Sequence, residues 1–102
     1  MAEFVSAMKA SDLAEGTMSA VDLKGSHILL SKIGGVVYAV SGICTHEETD
    51  LARGFVLEDR VICPLHLSQF DLRTGQVMNP PAEVPLQRFN VKIEGDTVFV
   101  EV

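Results

Sequence analysis

Cys44-Thr45-His46 and Cys63-Pro64-Leu65-His66 each place one cysteine and one histidine in a short segment, with residues 47–62 between them. Together they hold both cysteines of the chain and two of its three histidines. Thiolate and imidazole are the side chains that bind soft and borderline transition metals, and a Cys2His2 set fills four coordination positions. The pairing of C-x-H with C-x-x-H therefore points to metal chemistry. Two centres fit these donors. A single zinc ion would take all four in a tetrahedron, although such sites are commonly built from a C-x-x-C knuckle and an H-x3–5-H pair. Here each segment supplies a mixed pair instead. That arrangement suits a two-iron centre with both cysteines on one iron and both histidines on the other. A Cys44–Cys63 disulfide is the weaker reading for a chain expected in the cytosol with histidines at ligand spacing.

The elements that must position these residues read as strands. Short apolar runs alternate with turn residues along the chain, the pattern of an all-β domain. Phe4, Val5 and Met8 begin a first strand that ends before a turn at Ser11-Asp12, and Met18 and Ala20 alternate with polar neighbours toward Asp22. Ser26 to Ile33 and Val36 to Val40 flank Gly34-Gly35, a pair suited to the positive φ angles of a two-residue hairpin. The unbroken apolarity of residues 36–40 predicts a strand buried on both faces, and it runs directly toward Cys44. Phe55 to Leu57 and Val61-Ile62 predict a small hairpin whose second strand feeds Cys63. Phe70-Asp71 begins another strand, turned at Arg73-Thr74-Gly75. Phe89, Val91 and Ile93 alternate with Asn90 and Lys92 as one strand, paired through a turn at 94–96 with Val98, Val100 and Val102. No segment carries a helical period. The expected organisation is one domain over residues 1–102, a β scaffold made from both ends of the chain and a loop-rich insert at about residues 43–80. Each ligand pair follows a strand, which gives its loop a hydrogen-bonded base.

Composition narrows the function classes. The chain has 102 residues, enough for one modest core, and its 47% hydrophobic and 22% charged content fits a folded domain. A net charge of −6, from 14 acidic and 8 basic residues, argues against nucleic acid and suits a partner with a basic docking face. No secretory signal and no run near the length of a membrane span is visible, so a cytoplasmic protein is expected. No GxGxxG or P-loop pattern occurs, and no Ser/His/Asp set or isolated acid pair suggests hydrolysis.

The C-T-H segment, residues 47–62, C-P-L-H and the Phe70-Asp71 that follows resemble the Rieske [2Fe–2S] proteins, within them most closely the small ferredoxins that serve bacterial ring-hydroxylating dioxygenases. The resemblance covers most of the chain, including the scaffold and Asn79-Pro80-Pro81, where the family places a proline loop over the cluster. It implies an antiparallel Rieske scaffold and one [2Fe–2S] cluster per chain. Cys44 and Cys63 would bind one iron and His46 and His66 the outer one, with Leu51 and Gly54 fitting the spacing of the first ligand loop. It also implies an electron carrier rather than an enzyme. Electrons would come from an NAD(P)H-dependent reductase, of flavoprotein or iron–sulfur type, and go to a terminal oxygenase acting on an aromatic ring; a monomer is expected of such a shuttle. Other clients, nitrite reduction among them, and a zinc-stabilised interaction module are the alternatives.

Two departures from the family matter. Leu67 follows the second histidine where glycine is usual, which puts backbone approach near His66 in question. High-potential members carry an additional disulfide between the ligand loops, and a serine and a tyrosine that donate to sulfur. Here Leu65 occupies one of the extra cysteine positions, Phe70 stands at the tyrosine, and Ser68 matches the serine. Fewer donors to the cluster leave its reduced form less stabilised, so a low potential for a Rieske centre is expected. Glu47, Glu48 and Asp50 read as a solvated loop or a docking rim. His27 reads as an ordinary strand histidine without a ligand role.

Overall fold

The computed structural model describes residues 3–44, 49–64, 67–79 and 84–102. Among them, eleven strands form three antiparallel sheets, with two short 3-10 turns and no longer helix. The strands are β1 (Phe4–Lys9), β2 (Met18–Leu23), β3 (Ser26–Ile33), β4 (Val36–Ser41), β5 (Phe55–Leu57), β6 (Arg60–Ile62), β7 (Gln69–Asp71), β8 (Val77–Asn79), β9 (Arg88–Phe89), β10 (Val91–Glu94) and β11 (Thr97–Glu101). The sheet orders are β1-β11-β10, β2-β3-β4-β9 and β5-β6-β7-β8. The third sheet is the insert, and the first two are the scaffold. Among the described residues no helix is long and apolar enough to cross a membrane.

The β3–β4 hairpin is the wall on which both halves of the molecule lean. Side chains alternate across a strand, so Ile28 and Leu30 face one way while Leu29 faces the other. Ile28, Leu30, Val37 and Ala39 join Leu13, Val98 and Val100 in the scaffold core. Leu29 and Val40 instead join Cys44, Leu51, Val61, Cys63, Phe70, Leu72 and Leu86 in a second core shared with the insert. A strand between two cores carries apolar side chains on both faces, which is why β4 lacks an alternating pattern. Its first residue, Val36, is the exception and lies exposed beside the turn. That turn has positive φ at both Gly34 and Gly35, as the hairpin requires, and the Glu15 carboxylate accepts from both amides at 2.6 and 2.9 Å.

The alternating stretch around Asn90 is two strands, not one. Arg88–Phe89 pairs with β4, whereas Val91–Glu94 pairs with β11, so the chain changes sheets at Asn90. Both halves keep the same period, so alternation alone could not reveal the break. Val77–Asn79 forms the outer strand of the insert sheet. A single 3-10 turn at Ala10–Asp12 forms where a turn is expected at Ser11-Asp12. It is tied to the β10–β11 turn by Ala10 N donating to Asp96 O at 2.7 Å and Ser11 Oγ donating to Asp96 Oδ2 at 2.6 Å.

Candidate metal centre

The first ligand segment leaves β4 and is closed at its base. Ile43 and Asp50 form an isolated antiparallel bridge, Leu51 N donates to Gly42 O at 2.8 Å, and Cys44 N donates to Thr49 O at 2.8 Å. Asp50 then accepts from Ala52 N at 2.9 Å and starts the 3-10 turn Leu51–Arg53, whose buried Leu51 reaches the insert core. The second segment leaves β6, and Cys63 N donates to Ser68 O, again at 2.8 Å. In both loops the cysteine amide bonds the carbonyl five residues on. Two segments unlike in sequence thus close in the same way, each returning to its own cysteine.

Both cysteines are fully buried, and they are not joined as a disulfide. They sit in one cluster of Leu51, Val61, Phe70 and Leu72. Buried thiols held on matched loops fit the sulfur end of a metal centre, because such a site needs donors that are fixed and kept from water. Among the described residues alone, no group of three or more His, Cys, Asp or Glu converges. His46 and His66, with Glu47, Glu48, Pro80 and Pro81, lie outside the described residues, so the described half of the expected donor set is its two sulfurs.

The loops meet at Gly54. A Cβ added there would lie 2.0 Å from Ile62 O and 3.2 Å from Pro64 Cδ. Its φ of −84° is open to any residue, so glycine is required for space, not conformation. The exit of the first loop crosses the start of the second with backbone against backbone. Gly75 has a similar role as well as its turn. Its φ is +82°, and an added Cβ would lie 2.3 Å from Leu86 O.

Leu67 takes the left-handed conformation, φ +59°, that glycine adopts freely. Leu67 is 57% exposed, so its additional atoms are largely open to solvent. The backbone course expected of glycine is kept, and strain of about 1–2 kcal/mol accompanies it. Leu67→Gly is expected to raise stability by about 1 kcal/mol, since the greater freedom of glycine in the unfolded chain offsets part of the relief. Urea denaturation of the two proteins checks this. Ser68 and Phe70 are fully buried, and Phe70 has no hydroxyl to donate.

His27 is not remote from the first motif. Its Nδ1 lies 2.7 Å from Asp22 Oδ1 and its Nε2 lies 3.0 Å from Asp50 Oδ1, at the base of the first loop. Asp50 is thereby a structural acid rather than part of a free docking rim. Burial alone would raise the Asp50 carboxyl, but the His27 ring and the Ala52 amide hold it below its ordinary value. No local sequence signal links residues 27 and 50, because the contact is made by strand placement.

Comparison with known proteins bears on this geometry. Residues 3–90 match the Rieske [2Fe–2S] domain family. The chain is 40% identical over 91 residues to the ferredoxin component of biphenyl 2,3-dioxygenase from Rhodococcus jostii, covering 89% of this chain and 85% of that one. It is 39% identical over 99 residues to the ferredoxin component of the alkene monooxygenase system of Xanthobacter autotrophicus, covering 96% and 80%. Among solved structures, a chain from the complex of reduced oxygenase and oxidised ferredoxin in carbazole 1,9a-dioxygenase superposes with a TM-score of 0.90 at 31% identity, covering 95% and 91%.

Proposed function

The chain belongs to the Rieske [2Fe–2S] family, and from that membership we propose that it is a single-domain, one-electron carrier between a reductase and a terminal oxygenase. Cys44 and Cys63 would hold one iron of its cluster, and His46 and His66 the other. The observation that carries this reading is the pair of buried cysteines on identically closed loops. With four protein donors, neither iron keeps a position for substrate, so the centre suits electron movement rather than bond chemistry. The bound cluster supplies one reversible electron. The protein's part is to hold the sulfurs rigidly and dry at the core end, through the Cys44–Thr49 and Cys63–Ser68 closures and the contact at Gly54.

The chain is a carrier and not itself a catalyst. Its donor is an NAD(P)H-dependent reductase of flavoprotein or iron–sulfur type, and its acceptor is a terminal oxygenase that hydroxylates an aromatic ring. The alkene monooxygenase relative favours a second client class, an alkene-oxidising monooxygenase. We place the carrier in the cytoplasm as a monomer, with no nucleic acid or membrane partner; its net charge of −6 suits a basic docking face.

Stopped-flow mixing of the reduced chain with the oxidised oxygenase component of a biphenyl dioxygenase tests the reading. Reoxidation is expected on the turnover timescale, slowing as salt screens the opposed charges. The midpoint potential is expected in the lower part of the Rieske range of roughly −150 to +300 mV, because Phe70 offers sulfur no hydroxyl. A value above about +100 mV in that range, or a colourless zinc protein, would refute it.

A further inference from the structure

His27 carries a role beyond the ligand set. Its ring joins three elements, with Asp22 on β2 bound through Nδ1, Asp50 at the base of the first ligand loop bound through Nε2, and the histidine itself on β3. Its main-chain carbonyl accepts from Gly42 N at 2.9 Å. A Cβ at Gly42 would lie only 2.8 Å from His27 Cδ2, so the chain leaving β4 passes close to the ring. The same Gly42 accepts from Leu51 N, and Ile43 bridges Asp50. Both ends of the loop that carries Cys44 are therefore held against one side chain. We infer that His27 is a positioning residue that clamps the base of the first cluster-binding loop to the β2–β3 hairpin, and that only its doubly protonated ring can donate to both carboxylates at once.

Neutral imidazole has one N–H, so loss of the proton breaks one of the two bonds. The charged groups acting on the ring are Asp22 from β2 and Asp50 from the loop, with Arg53 of the adjoining 3-10 turn acting on Asp50; the chain just beyond β4 brings the backbone of Gly42 against it. The bonds to Asp22 first, and to Asp50 next, raise the pKa of His27 above 6.5. A raised folded value places the clamp fully in force below 6.5 and loosens it as pH climbs through that higher value. The His27 ring bonds Asp22 and Asp50, whereas the second ligand loop closes through Cys63 N donating to Ser68 O, so that loop serves as an internal control.

Hydrogen exchange by mass spectrometry on the cluster-loaded protein tests this. In His27→Gln, the peptide containing Cys44 and Leu51 is expected to exchange about tenfold faster, the loss of one charge-assisted bond. The peptide containing Cys63 and Ser68 should be unchanged. In the natural protein, exchange of the first peptide, corrected for intrinsic rates, should rise as pH passes above 6.5 through the raised value, and the variant should lose that dependence. Asp22→Asn alters an exposed partner and is expected to give a smaller change confined to the same peptide. Cluster loss to a chelator should accelerate in parallel with loop opening. Equal change in both loops, or no change in the first, would overturn the clamp. The effect on the cluster requires that Cys44 be a ligand as proposed above, whereas the loop exchange does not, so the two can fail separately.

Discussion

Gly54→Ala is expected to give a chain that retains its scaffold sheets and fails to hold a cluster. The added methyl would sit 2.0 Å from Ile62 O, and that obstruction is main chain, which cannot rotate aside. Relief requires the 3-10 turn at Leu51–Arg53 to move away from β6, which carries Cys44 and Cys63 apart. Overpacking of this kind costs about 3 kcal/mol or more where backbone must shift. Cluster binding adds a second loss, because donors displaced by even an ångström no longer meet one centre. Visible absorption after reconstitution with iron and sulfide, beside urea denaturation of the unloaded proteins, separates the two effects. Full absorption in Gly54→Ala would show that the loops do not depend on this contact.

Cys63→Ser is the second change with a large expected effect. The thiol is fully buried among Val61, Phe70 and Leu72, so a serine there loses a soft donor and gains a hydroxyl in apolar surroundings. The hydroxyl costs about 1–3 kcal/mol where it finds no partner. Loss of the cluster costs more, since metal binding is linked to folding of the loops that bind it. We expect a colourless protein with scaffold strands intact by circular dichroism and loops that exchange freely. His66→Ser should likewise remove or severely alter the chromophore. Retained colour in Cys63→Ser would mean the sulfur ligand had been misassigned.

Much of this was legible in the sequence because period and turn chemistry write it locally. The glycine pair at 34–35, the two-faced burial of residues 37–40 and the two strands that deliver Cys44 and Cys63 all follow from neighbours along the chain. Features that depend on chain crossing were not legible. Gly54 fits a family spacing in the sequence, but only the approach of Ile62 O gives its reason. Gly75 reads as a turn, yet it also makes room for Leu86. Asn90 separates two sheets without any break in alternation. His27 reads as an ordinary strand residue until β3 sets it beside Asp50, 23 positions away in the chain.

Mössbauer spectroscopy of the iron-57 protein, with iron and sulfide analysis, tests the central claim most directly. Two irons and two sulfides per chain are expected, the irons in unlike sites, one bound by Cys44 and Cys63 and the other by His46 and His66. One zinc ion per chain, two equivalent irons, or an oxidised Cys44–Cys63 bond with no metal would contradict it.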